Sequence, residues 1–163
     1  MIKRILLALA LITSVANADF FVKGNTSVGI VLGTSSVSYG RHTENYTIVG
    51  VNADYFVIDN LSLGLGYRGW FGGTPSRNQI TVPATYYIPI SEKFRPYAGA
   101  FVRKTFVSDG FSDYDSYGMR GGVTMVLSRN SYLGVGVIQE YYSGGNFADS
   151  SSTYPEFIFA FSF

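Results

Sequence analysis

In residues 154 to 163, Tyr-Pro-Glu-Phe-Ile-Phe-Ala-Phe-Ser-Phe, the rings of Phe157, Phe159, Phe161 and Phe163 recur at every second position, so an extended strand carries all four on one face. A water-facing sheet does not end on such a surface, because an apolar patch of that size drives association or membrane contact. Facing hydrocarbon, the rings lose nothing by exposure. A strand can stand in lipid only if both its edges are paired, which requires a closed barrel.

The same alternation occurs eight times at lengths that suit a tilted membrane-spanning strand, roughly 9 to 11 residues. It predicts strands near 20–32, 46–57, 61–71, 78–89, 95–107, 116–127, 132–142 and 153–163. Between them, Ile58-Asp59-Asn60, Ser91-Glu92-Lys93 and Arg129-Asn130-Ser131 read as tight turns, whereas 33–45, 72–77, 108–115 and 143–152 are mostly longer and rich in Gly, Ser, Asp and Asn. Short periplasmic turns and longer outer loops are the asymmetry of an outer-membrane barrel. An even number of strands then places both termini on the periplasmic side.

At the other end, Lys3 and Arg4, the apolar run Ile5 to Ile12 and the small residues of Ala16-Asn17-Ala18 form the three parts of a secretory signal peptide. The run is too short for a transmembrane helix, which needs about 20 apolar residues. Residues 1–18 are therefore expected to be a signal peptide and residues 19–163 a single barrel domain. Without Lys3 and Arg4, ten of the twelve basic residues remain against eleven acidic ones, a formal charge of −1. Clustered cations for phosphate contacts are missing, so no nucleic-acid partner is expected. The absence of cysteine excludes disulfides and thiolate metal sites. Aromatics at 17%, 19 glycines and only 14% charged residues suit a β-protein that is greasy on one face and tightly filled on the other.

Alternation also sorts the faces. Val49, Val51, Ala53, Tyr55 and Val57 face out, as do Leu61, Leu63, Leu65 and Tyr67; a three-residue turn pairs Val57 with Leu61. Leu127 set opposite Leu133 continues the outward face through Met125, Val123, Val135 and Val137. A one-residue slip would invert a whole strand, so this agreement carries information. The inward complement holds Lys23, Asn25, Asn52, Asp54, Arg68, Arg120, Thr124, Glu140, Glu156 and Ser162. Counting from the shared turn sets Arg120 opposite Glu140, which predicts an ion pair, with Lys23, Asp54, Arg68 and Glu156 joining the same interior network. The fifth strand leaves two readings open. Either Ala98, Ala100 and Val102 face lipid with Arg103 inside, or Tyr97, Gly99 and Phe101 do, with Lys104 inside. Pro83, lacking an N–H for the ladder, marks a bulge or, on a sharper reading, a lateral gap in the wall.

The signal peptide, the eight alternating strands and the aromatic last strand, with phrases such as Tyr55-Phe56-Val57-Ile58-Asp59-Asn60-Leu61-Ser62-Leu63-Gly64-Leu65-Gly66-Tyr67 and Phe94-Arg95-Pro96-Tyr97-Ala98-Gly99-Ala100, resemble the small outer-membrane β-barrels of Gram-negative bacteria, the OmpA/OmpX-like barrels. The resemblance covers the whole mature chain. It implies an all-β, eight-stranded, antiparallel up-and-down transmembrane barrel in the outer membrane. It further implies that the last strand, with Phe163 terminal, is the recognition signal for the outer-membrane assembly machinery. The fold hosts adhesins, anchors, porin-like solute pores and lipid-modifying enzymes, so activity must be argued from the site.

For an enzyme, the raw material is His42, the sole histidine, with Ser35, Ser36, Ser38 and Glu44 nearby in the first outer loop. The serines lack a nucleophile-elbow motif, and nothing readable orients the imidazole. The deacylase barrels that act on lipid A carry His and Ser two residues apart on a strand, whereas His42 is followed by Thr43 and Glu44. The palmitoyltransferase barrels pair a first-loop His with Asp-Ser in the second loop, which Gly72-Gly73-Thr74-Pro75-Ser76-Arg77 does not supply. In the third loop, Asp109, Asp113 and Asp115 offer oxygen ligands for a hard cation, but without a closing Glu they read first as a hydrated acidic tip. No cofactor and no metal is expected. Tyr46, Tyr55, Tyr67, Phe71, Tyr97, Phe106, Tyr117, Tyr132 and Tyr141 are read as interfacial girdles.

Eight strands enclose a lumen just wide enough for side chains to fill. The sequence therefore predicts a monomeric, non-enzymatic outer-membrane barrel with a plugged polar interior, a structural or surface-contact protein for adhesion or envelope integrity that acts through four outer loops. Outer-membrane lipid and lipopolysaccharide are its expected surroundings. The alternatives are a lipid-modifying enzyme using His42 and a narrow pore for small solutes.

Overall fold

The computed structural model describes residues 20–39, 42–108, 110, 112–143 and 150–162, with backbone alone at 37–39 and 42–43; the expected signal peptide and Phe163 lie outside them. Eight strands follow one another: β1 (Thr26–Tyr39), β2 (His42–Ile58), β3 (Leu61–Phe71), β4 (Arg77–Tyr87), β5 (Phe94–Val107), β6 (Tyr114–Ser128), β7 (Ser131–Ser143) and β8 (Ser151–Ser162). Each pairs antiparallel with its chain neighbour, and β1 pairs with β8 from Ser27↔Ser162 to Leu32↔Phe157, closing the barrel. Along that seam no edge is left to recruit another chain; beyond it, residues 33–39 of β1 pair with β2 alone and residues 151–156 of β8 with β7 alone.

The first strand begins later than the alternation predicts. Phe20 and Phe21 are both buried, which a strand cannot achieve for consecutive residues because their side chains point to opposite faces. Instead, residues 20–25 fold into the mouth of the barrel and turn at Gly24, whose φ of 92° suits glycine. The β1–β2 hairpin, in contrast, extends beyond its expected end, pairing continuously to Tyr39↔His42. Ser35 and Ser36 are thus strand residues rather than loop residues.

Two turns are tighter than predicted. In β2–β3 the pairs Tyr55↔Leu63, Ala53↔Leu65 and Val51↔Tyr67 hold, but Ile58 rather than Val57 closes on Leu61, and a register shift lies between Phe56 and Ile58. Asp59 and Asn60 form the turn, Asn60 at φ 65°, a conformation asparagine tolerates. In β6–β7 a second shift between Val126 and Ser128 sets Met125, not Leu127, opposite Leu133. Each extra residue is absorbed as a bulge. The β6–β7 register moves by two, so every side chain keeps its face.

Pro83 introduces no bulge. The β3–β4 register is the same on either side of it, from Leu63↔Ala84 to Gly66↔Thr81, but pairing lapses at Gly64–Leu65 against Val82–Pro83. On its other side Pro83 pairs regularly with Phe101. The proline thus spends its missing donor on one short interruption of the wall.

The outer surface is apolar where the alternation places it: Ile30, Val51, Leu65, Val82, Val102, Val123, Val137 and Phe157 are exposed. On β8, Phe157 and Phe161 point outward and Phe159 is half-buried, its ring edge-on to Phe161 at 4.6 Å.

Candidate functional site

The inward faces meet in three tiers. At the end carrying the short turns, Phe20, Phe21, Phe56, Tyr87 and Tyr132 form an aromatic plug. Phe20 lies edge-on to Tyr132 at 4.7 Å and Phe21 is 4.7 Å from Tyr87. The Arg95 guanidinium covers the Phe21 ring at 4.4 Å and donates from Nη1 to Asn60 Oδ1 at 2.7 Å. Backbone bonds lock the segment: Asn60 N–H to Phe21 O at 2.7 Å and Gly24 N–H to Phe56 O at 2.8 Å. Lys23 is a correction to the sequence reading. Its side chain is exposed and its backbone N–H bonds Asp59 Oδ1, because residues 20–25 do not continue the inward parity of β1.

The middle tier is ionic. Glu156 of β8 accepts from Arg68 Nη2 of β3 at 2.9 Å on Oε1, from Arg120 Nη2 of β6 at 2.8 Å on Oε2, and from the Tyr97 hydroxyl at 3.3 Å. Arg103 of β5 donates from Nη1 to Glu140 Oε2 of β7 at 2.6 Å and to the Tyr154 hydroxyl at 2.7 Å, and from Nε to Thr81 Oγ1 at 2.8 Å. The Ser116 hydroxyl donates to Glu140 Oε1 at 2.5 Å. Asp54 accepts a short bond from Asn52 Nδ2. Arg68 and Arg120 thus share Glu156 and Arg103 pairs with Glu140, all buried, while Asp54, buried beside them, is held by Asn52. Burial of that many charges is tolerable only with such pairing.

The expected Arg120–Glu140 pair does not form. The β6–β7 shift puts Ile138 opposite Arg120 and Gly118 opposite Glu140, leaving Arg120 to reach Glu156 and Glu140 to take Arg103. Of the two readings of the fifth strand, the inner residue is Arg103; Lys104 faces out and pairs with Asp115 Oδ1 at 3.1 Å.

The third tier, nearest the longer loops, sets Tyr46 edge-on to Trp70 at 5.5 Å, with the Arg77 guanidinium 5.2 Å and 5.3 Å from their rings. Trp70 Nε1 donates to Gln79 Oε1 at 2.9 Å and Gln79 Nε2 to Thr105 Oγ1 at 3.2 Å. Tyr46, Tyr97 and Tyr132 are therefore core residues and not girdle anchors. For Tyr46 and Tyr132 the signal was parity, since each sits in step with the inward polar residues of its own strand; Tyr97 is in step with Arg103, one of the two alternatives the fifth strand left open. Between the lower tiers, Tyr97 lies across the paired Gly122 and Gly136; a Cβ on Gly136 would fall 2.1 Å from the tyrosine oxygen. An interior void of about 10 Å³ beside Asn52, Arg68, Thr81 and Arg103 admits a single water at most.

At the rim, His42 pairs with Tyr39 at the hairpin tip, and its side chain lies outside the described residues. Ser36 donates to Asn45 Oδ1 at 2.7 Å. Asp113 Oδ1 accepts from the Val107 N–H at 3.0 Å, while Asp115 faces Lys104; Asp109 is outside the described residues. Among the described residues, no three His, Asp or Glu side chains gather as a metal site.

No protein-family model matches the chain. Over 169 aligned positions it is 27% identical to outer membrane protein W of Escherichia coli, covering 80% of this chain and 77% of that protein. The crystal structure of Neisserial surface protein A superposes with a TM-score of 0.69 at 18% identity, over 86% of this chain and 98% of the other. The N-terminal β-barrel domain of OprF from Pseudomonas aeruginosa gives 0.67 at 14% identity, over 86% and 98%. Closed eight-stranded topology, a lipid-facing apolar exterior, a charge-paired interior and these likenesses identify the chain as a small outer-membrane β-barrel of the Gram-negative type.

Proposed function

We propose that this is a non-enzymatic barrel that acts by its presence in the outer membrane and by the surface its four loops present, in adhesion or envelope integrity. The observation that carries the reading is the filled lumen: an aromatic plug, a tier of ion pairs and an aromatic–arginine tier follow one another along the axis. The decisive experiment is mass spectrometry of lipid A from cells with and without the protein. An unchanged acyl pattern is expected; a changed pattern that reverts with His42→Ala overturns the reading. In the same cells, replacing Phe157, Phe159 and Phe161 by alanine is expected to lower the amount of assembled barrel, in keeping with a role for β8 as the assembly signal.

A second reading, a narrow route for small apolar solutes, draws on the lapse in the β3–β4 ladder at Pro83. Solute uptake into proteoliposomes that falls with Pro83→Val would favour it over the first.

A further inference from the structure

We propose that the outer wall over β4, β5 and β6 is a binding site for one lipid A molecule of the outer leaflet, with an acyl chain in a groove floored by Ala84 and Ala100 and a lipid phosphate on Lys104. The inference depends on membrane insertion and not on the closed-lumen reading.

Register builds the groove. Ala84 and Ala100 stand side by side between Leu63 and Met119, and one row nearer the loops Val82 and Val102 stand beside Tyr117. Methyl groups between larger neighbours leave a trough of about 520 Å³ along the wall. Tyr117 forms one bank, stacked on Tyr141 at 5.7 Å and 23°. The next row is Ile80, Lys104 and Asp115. A second depression of about 440 Å³ shares Val82, Val102 and Tyr117 with the first and opens onto Lys104. Trough and cation are therefore continuous.

Length and polarity fit within one leaflet. Four residues separate Ala100 on the floor of the trough from Lys104, about 13 Å along a strand; at the usual tilt of about 40° that is roughly 10 Å of depth, inside the half of a hydrocarbon core of about 30 Å that one leaflet supplies. β5 starts at the end of the barrel that carries the two-residue turns β2–β3 and β6–β7 and runs toward the opposite end, so Lys104 lies at the outer end. A lipid-facing lysine is costly at mid-membrane and tolerated at the interface, which fixes Lys104 at headgroup level. Asp115 at 3.1 Å steadies the ammonium over the mouth of the trough, and the lysine side chain remains 45% exposed. An ammonium carries three donors, leaving capacity for an anionic oxygen.

Native mass spectrometry of the mature protein released from micelles tests this with three probes: bisphosphorylated lipid A, the same lipid dephosphorylated, and phosphatidylglycerol. Wild type is expected to retain one lipid A, with several-fold weaker retention of the other two. Ala100→Phe and, as an independent block, Ala84→Phe should remove retention of lipid A with and without phosphate. Lys104→Gln should lower only the phosphorylated lipid, to the level of the dephosphorylated one. A heat-dependent gel shift verifies that each variant is folded. Unchanged retention in the folded variants, equal retention of phosphatidylglycerol, or barrel dimers in place of lipid adducts would overturn the proposal.

Discussion

Glu156 bridges Arg68 and Arg120, receiving one guanidinium on each carboxylate oxygen at 2.9 and 2.8 Å, and so joins β8 to β3 and β6 across the lumen. Glu156→Gln would leave two buried cations facing each other without their shared anion. Removing one partner of a buried pair costs about 3–5 kcal/mol, and here both arginines lose theirs. The unfolding midpoint in detergent, followed by the fluorescence of Trp70, the single tryptophan, is expected to fall well below that of Arg129→Ala in an exposed turn. Equal midpoints would refute the bridge.

Arg103 and Glu140 form a second, separate pair at 2.6 Å, closed by Tyr154 and Ser116. Arg103→Met or Glu140→Gln alone strands a buried charge, whereas the double replacement strands none from this pair. A double-mutant cycle should therefore show a positive coupling, about 0.5–3 kcal/mol for residues in direct contact. Additive losses would mean that the two do not act as a pair.

Much of this architecture is readable from parity. Period-two alternation assigns a face to each strand residue, so the strand count, the closed all-β class and the inner placement of Asp54, Arg68, Arg120, Glu140 and Glu156 follow from counting. Which of these side chains meet does not. Arginine reaches across a narrow lumen to strands that are not its neighbours, as Arg68 does to Glu156, and the two-residue register shift of β6 against β7 moved Arg120 past Glu140. Tyr46, Tyr97 and Tyr132 were misplaced because an aromatic girdle is expected of any barrel, although parity already assigned Tyr46 and Tyr132 inward; for Tyr97 the alternation of the fifth strand left both faces open. Phe20 and Phe21 escaped because a plug segment obeys no strand period.

That plug gives a further prediction. Phe20 and Phe21 are each 1% exposed and together touch Phe56, Tyr87 and Tyr132. Replacing a buried phenylalanine by alanine costs about 3–5 kcal/mol. Phe21→Ala also strips the ring from beneath Arg95. It should therefore lower the unfolding midpoint more than Phe94→Ala on the exposed exterior. A loss no larger than that of Phe94→Ala would show that the segment contributes no stability at the mouth.

The sharpest contrast is between two glycines on neighbouring strands. At Gly136 a Cβ would lie 2.1 Å from the Tyr97 oxygen and 2.5 Å from the Gly121 carbonyl oxygen, the second a backbone atom that cannot swing aside. At Gly121 the nearest atom is 3.5 Å away, ordinary contact. Overpacking a filled site costs about 1–3 kcal/mol, and more where backbone must move. The Tyr97 hydroxyl would also be driven from Glu156, loosening the ionic tier. Gly136→Ala is thus expected to reduce refolding yield and lower the midpoint, while Gly121→Ala, on the lipid-facing side, stays close to wild type. If both variants refold alike, Tyr97 does not rest on the wall at Gly136.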